Sequence, residues 1–221
     1  MKAKYNMTRK ENVFWAKRNL VDYIYHSARL EGCNVTFPDT QTLLDGVNVG
    51  SVTLDDVQTI LNLRDAWRYV LSRLDAPFDL DYICGINGHV SRNESLQWGV
   101  LRTGNVGIGG TDYKPPIPDK DSVALNIEKI NIIKNPTERA VDCFLWLCRS
   151  QLFWDGNKRT SALAANKILI EAGEGIFTIK EKNIIEFNKL LSQFYTDGNT
   201  NIIKQWLYDN CIDGLEEKYI N

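Results

Sequence analysis

No run of apolar residues in this chain approaches the roughly 20 that a membrane-spanning helix needs, and no apolar segment follows the polar, basic stretch Met1 to Glu11. The chain therefore reads as a soluble cytoplasmic protein with neither a membrane span nor a secretory leader. Histidine is scarce: His26 and His89 are the only two in 221 residues, which argues against a histidine-built metal site. The five cysteines (Cys33, Cys84, Cys143, Cys148 and Cys211) are odd in number, scattered, and contain no CxxC pair. They read as buried thiols, not as disulfides or zinc ligands. An excess of positive charge is also missing. Lys and Arg total 26 against 28 Asp and Glu, a net charge of −2, so nothing supports binding of nucleic acid through bulk charge. There is no internal repeat, low-complexity tract or charge block.

What remains is 43% hydrophobic and 24% charged residues, enough apolar side chain to build the core of one globular domain over 1–221. Helical signals dominate. Thr8-Arg9-Lys10-Glu11 reads as a capping box, followed by Val13, Phe14, Val21, Ile24 and Ala28 at helical spacing, with a stop at Gly32. This predicts one helix over about 8–32. A second helix is predicted from about Thr53 to Leu74, ended by Pro77, and a third from Asp79 to Ser91. Asn135-Pro136-Thr137-Glu138 starts another, and Asn157 to Ala172 forms an Ala-rich one closed by Gly173. These last helices complete a core of about 53–173, with C-terminal helices over about 179–213. Trp98 to Pro118 differs: period-two apolar residues interrupted by glycine predict a β-hairpin. The fold class is all-α, a helical bundle with one small β-hairpin.

Two segments carry candidate chemistry. Gln151-Leu152-Phe153-Trp154-Asp155-Gly156-Asn157-Lys158-Arg159-Thr160 joins an apolar helix to the Ala-rich one. A helix N-terminus with small residues exposes free N–H groups and the positive end of the dipole, which suits an anion. Gly156 would let the backbone approach a phosphate, while Asn157, Lys158 and Arg159 would donate to it. Asp155 offers an oxygen ligand for Mg²⁺, and Phe153 anchors the loop in the core. Taken as a bare string, the segment is equally compatible with an ordinary connection between two helices, Asp155 capping and the cations solvated. The second segment, Ser27-Ala28-Arg29-Leu30-Glu31-Gly32, places Ser27 and Glu31 on one helix face, a spacing that alone is nonspecific.

Together these residues resemble the Fic (Fido) family, whose signature is His-x-Phe-x-Asp/Glu-Gly-Asn-Gly/Lys-Arg-x-x-Arg. Phe153, Asp155, Gly156, Asn157 and Arg159 match in register, and Lys158 matches the Doc-like variant. Ser27 to Gly32 is similar to the family's inhibitory motif, Ser/Thr-x-x-x-Glu-Gly/Asn. Gly104, Asn105, Val106, Gly107, Ile108, Gly109 and Gly110 resemble the flap that docks a target strand. The resemblance implies a Fic fold and transfer of AMP from ATP, with Mg²⁺, to a Ser, Thr or Tyr hydroxyl of a protein target. A homodimer is left open. The motif His would accept the hydroxyl proton, and the inhibitory Glu would pair with the second motif Arg.

Two positions depart from the signature. Gln151 stands at the His position, and a carboxamide has no useful basicity near neutral pH. Ala162 stands at the second Arg, which leaves Glu31 to find another partner, Arg159 or Lys158. His26 is expected on the helix surface, not as a replacement base. These losses predict an adenylyltransferase-like chain with impaired turnover. Left beside it are a nucleotide-binding regulatory pseudoenzyme, an AMP-removing hydrolase using Glu31, and a Doc-like phosphotransferase.

Overall fold

The computed structural model describes residues 1–215; residues 216–221, the end of the expected 1–221 domain, lie outside the described part. Ten α-helices account for most of it: α1 (Arg9–Arg18), α2 (Leu20–Leu30), α3 (Phe37–Leu44), α4 (Leu54–Ser72), α5 (Leu80–Val90), α6 (Lys120–Asn131), α7 (Pro136–Ser150), α8 (Asn157–Ala172), α9 (Ile184–Asp197) and α10 (Asn201–Asn210). Two short strands, β1 (Ile176–Phe177) and β2 (Ile212–Asp213), pair antiparallel with Ile176 opposite Asp213.

The centre of the molecule is the antiparallel hairpin of α7 and α8, which α5, α4, α1 and β1 surround through α8 and α10 and α6 through α7. α8 takes this position because apolar residues are spread around it: Ala164 and Ala165 are fully buried, as are Leu169 and Ile170. Two of its buried polar residues are satisfied internally. Asn166 accepts from the Phe177 N–H at 2.7 Å and donates to the Phe177 carbonyl at 2.9 Å, which anchors β1 to the helix. Lys167 runs through the core to donate to the Leu74 carbonyl at 2.9 Å.

Helix ends follow the sequence closely where capping residues are present. Thr8 and Glu11 form the reciprocal box, with Glu11 accepting from the Thr8 N–H at 2.7 Å. Asn135 caps α7, and Pro136 occupies its first turn. Where a capping residue sits inside an apolar stripe, the reading fails. The single helix expected over 8–32 is two, broken at Asn19, whose side chain donates to the Trp15 carbonyl at 3.0 Å. An Asn amide competes in this way for backbone groups that would otherwise continue the helix. α3 and α6 were not anticipated, although Thr36 and Asp119 cap them.

The β-hairpin expected over 98–118 does not form, and the only strand pair among the described residues is β1–β2. Residues 103–118 make no backbone–backbone hydrogen bond among the described residues. The alternation is real, but its glycines supply no side chains for cross-strand pairs, so neither arm is stabilised against the other. The segment is instead an irregular flap, held from outside. At its tip the Gly110 carbonyl accepts from Ser192 at 3.1 Å, and the Thr111 and Thr196 hydroxyls lie 3.0 Å apart.

Four of the five cysteines are buried and Cys84 is partly so, all as free thiols. Burial pushes the Cys33, Cys148 and Cys211 thiols up to about 12, so none is a nucleophile at neutral pH. No described helix is long and apolar enough to cross a membrane.

Candidate active site

A cavity of about 450 Å³ opens between the flap, the α7–α8 loop, α9 and the end of α2. Gln151, Trp154, Asp155, Asn157 and Lys158 form its floor, Val106 to Gly109 its roof, and Glu31 one wall. Sequence reading found all of these but Trp154. It missed the opposite wall, where α9 contributes Asn188, Leu191, Ser192 and Tyr195, because nothing in a plain amphipathic helix marks it as lining a site. Burial, then the neighbouring Cys148 and Glu31, raises the Tyr195 hydroxyl far above its ordinary range, so it stays neutral.

The loop that carries the motif is built by one turn on each side. α7 ends at Gln151 in the left-handed region, φ 45° and ψ 58°, unusual for a residue with a side chain. Leu152 and Phe153 then enter the core at 2% and 1% exposure, as the anchoring role of Phe153 requires. Asn157 ties the loop together: its Oδ1 accepts from the Phe153 N–H at 3.0 Å and its Nδ2 donates to the Phe153 carbonyl at 2.9 Å. The same Nδ2 donates to Gln151 Oε1 at 3.2 Å, while Gln151 Nε2 donates to the Cys148 carbonyl at 2.7 Å. Both ends of the carboxamide are thereby engaged by protein.

Gly156 caps α8 at φ 71°, but not to admit a phosphate. A Cβ there would lie 2.2 Å from Ser91 Oγ and 2.6 Å from Val90 Cγ1, so the missing side chain makes room for α5. Gly156 does not line the cavity. No side chain caps α8, which leaves the first turn of the helix open toward an anion. Asp155 holds the turn through its backbone, its carbonyl accepting from Asn87 and Ser91 at 3.0 Å each. Its side chain is 52% exposed and faces the cavity.

Arg159 also departs from the expected role. It is 4% exposed and lies off the cavity, donating to Glu94 Oε2 at 2.6 Å and to the Val90 carbonyl at 3.2 Å. Burial works against its charge, but Glu31, Glu94 and Asp155 outweigh burial and raise its pKa further. Glu94 in turn accepts from Asn62 at 2.8 Å. No local pattern in the sequence marks Glu94. The cation that does face the cavity is Lys158, whose Nζ is 3.5 Å from Glu31 Oε1; Arg159 Nε is 3.8 Å from Glu31 Oε2. Glu31 therefore finds the partners that Ala162 does not offer. Ser27 does not join this site. It lines a separate cavity of about 30 Å³ together with Arg159 and Ala162.

Arg102 was overlooked because an isolated Arg near glycines has no distinguishing pattern. It is 1% exposed and spans the base of the flap. It donates to the Gln151 carbonyl at 2.6 Å, to Gly104 at 2.5 Å, and to Pro116 at 2.6 Å. Gly104 lies under the Trp154 ring, where a Cβ would meet Cη2 at 2.6 Å. Of the flap residues, Gly104, Asn105 and Gly110 stay off the cavity. His26 accepts from the Glu181 N–H at 3.2 Å and faces Asp22, away from the site.

The sequence and fold around this site are similar to those of known proteins. Residues 77–169 match the model of the Fic/DOC family. Curated relatives called "Protein adenylyltransferase Fic" are 28% identical to this chain. The one from Aedes aegypti aligns over 218 residues, 92% of this chain and 42% of its own length. That from Drosophila melanogaster aligns over 171 residues, 71% and 34%. The chain thus spans about two fifths or less of the curated relatives it matches. Fic-1 (residues 134–508) from C. elegans superposes with a TM-score of 0.75 at 22% identity, covering 88% of this chain and 62% of that one. A Fic-domain signalling protein from Bacteroides thetaiotaomicron gives 0.71 at 20% identity, covering 85% and 75%. The likeness shows that the fold of these proteins extends over most of this chain.

Proposed function

We propose that this chain binds a nucleoside triphosphate under the flap and is an adenylyltransferase-like protein whose transfer of AMP to protein hydroxyls is poor or absent. The observation that carries the reading is the state of Gln151. It stands at the cavity floor where the signature has its base, and its amide is held between the Cys148 carbonyl and Asn157. A target hydroxyl meeting that group has no proton acceptor, and loss of a general base costs about 10² to 10⁴ in rate.

The donor set fits a nucleotide brought in with Mg²⁺. Asp155 is the exposed carboxylate of the floor, and no group of three or more potential ligands that could hold a metal exists among the described residues. A single hard oxygen donor suits an ion that arrives with phosphate oxygens and retains its waters. When bound, the ion would neutralise phosphate charge. Lys158 and the backbone N–H groups of the uncapped first turn of α8 would hold the phosphates, the Asn157 amide being spent on Phe153 and Gln151, and the flap backbone would accept an extended target segment by strand addition. Glu31 opposes an anion in the same space, the inhibitory role expected of it.

One observation favours AMP removal as a second reading. Glu31 Oε1 is buried without a hydrogen-bond partner at the cavity wall, a position from which a carboxylate can hold water. Incubation with α-labelled ATP and a cell extract separates these readings. Weak or no labelling is expected from the native chain and about 10²-fold more from Gln151→His. Equal labelling by both would overturn the proposal, as would failure of both to bind ATP in calorimetry. Release of AMP from a modified protein, lost in Glu31→Ala, would establish the hydrolytic reading, and transfer of a γ-label the Doc-like one.

A further inference from the structure

A second cavity, of about 390 Å³, lies between α6, α7 and the end of α9, with Tyr113 of the returning flap arm at its edge. It shares no lining residue with the first, and its size lies within the range of small-molecule sites. Ile130, Ile133, Leu145 and Trp146 make one part of its wall apolar.

Arg149 in that wall has no ion-pair partner among the described residues. The Arg149 guanidinium sits 3.9 Å from the centre of the Tyr113 ring. Among the described residues its single hydrogen bond runs from Nη2 to the Tyr195 carbonyl at 3.3 Å, and its Nε is buried with no acceptor. The one acid lining the cavity, Asp142, is already held by Lys204 at 2.7 Å. Lys129, also on the wall, makes no ion pair among the described residues. A buried Nε–H left without an acceptor is costly, and the group that would satisfy the guanidinium is a planar anion able to take two parallel N–H donors.

We propose that this cavity binds a small amphipathic carboxylic acid, with its carboxylate on Arg149 and its apolar body against Ile130, Ile133 and Leu145. A carboxylate matches the planar fork of Arg149, its two oxygens taking two parallel N–H donors. Tyr113 covers the guanidinium on one face, which lowers the local dielectric and strengthens the pair.

Calorimetry on the full chain with 4-phenylbutyrate and its neutral amide tests this. The acid is expected to bind, with the amide at least about tenfold weaker, because the charge-assisted pair is worth that much or more. Arg149→Gln should cost the acid at least about tenfold and leave the amide unchanged. Ile133→Trp, which fills the cavity from a partly buried position, should remove both ligands with the circular dichroism spectrum retained. Equal binding of acid and amide, an undiminished acid affinity in Arg149→Gln, or no binding of the acid at millimolar concentration would overturn the proposal. So would binding of a short peptide ending in leucine with a free carboxylate where the acid fails, since the occupant would then be a chain terminus.

Discussion

At the scale of single residues, the site is governed by who holds which charge. Arg159 is buried between Glu94 and Glu31, so Glu94→Gln leaves a guanidinium under-compensated in the interior. This should destabilise the fold by about 3 kcal/mol in urea unfolding, with an unchanged m-value. Lys158 and Glu31 are more exposed, at 30% and 18%, and solvent screens them. A double-mutant cycle of Lys158→Ala and Glu31→Ala should therefore return only about 0.5–1 kcal/mol of coupling in stability. The same cycle read by ATP affinity should be strongly non-additive, because Glu31→Ala frees Lys158 for phosphate and Lys158→Ala removes that gain. Gly156→Ala brings a Cβ against Ser91 and Val90 at a left-handed φ, and is expected to cost about 2 kcal/mol or more in thermal unfolding.

At the scale of elements, the flap is the part least able to stand alone. Its backbone makes no backbone–backbone hydrogen bond along residues 103–118 among the described residues, and its shape depends on Arg102 at the base and Ser192 and Thr196 at the tip. Arg102→Met keeps the volume and removes the donors to the Gln151, Gly104 and Pro116 carbonyls. Hydrogen exchange and protease cleavage across 103–118 should rise several-fold in that variant while α7 and α8 stay protected. Uniform deprotection would show that Arg102 supports the core and not the flap. The helices contrast with the flap: α1 and α7 begin at the capping residues that mark them in the sequence, because an N-cap needs only its own turn to be satisfied. Asn19 shows the limit of that logic, since an apolar stripe continues through a residue that breaks the helix.

At the scale of the whole molecule, acid stability follows from both histidines. Burial lowers the pKa of His26, against the opposing pull of Asp22 and Glu181, and burial likewise lowers that of His89. The unfolded chain, with histidines near 6.5, then binds protons more readily than the folded one. Stability is full above that pH and is lost as pH falls through the folded-state values. Asp65 and Glu138 extend the loss at lower pH. Arg64 and Arg92 hold the Asp65 carboxyl below its ordinary range despite burial, and Lys204 does so for Glu138. Denaturation midpoints should decline from about pH 6.5 downward, and His26→Gln with His89→Gln should flatten the first part of that decline.

The sequence by itself determined the helical class and the α7–loop–α8 unit, because local spacing and capping chemistry decide such features, whereas the cavity-lining set Gln151, Asp155, Asn157, Lys158 and Glu31 was legible through resemblance to a family's motifs. Tertiary structure alone decided that Arg159 and Gly156 serve packing, that Ser27 lies elsewhere, and that the flap is unpaired. It also supplied Glu94, Arg102 and the α9 wall. Those outcomes depend on contacts between residues far apart in the chain, where burial and charge compensation act across distances that no local pattern records.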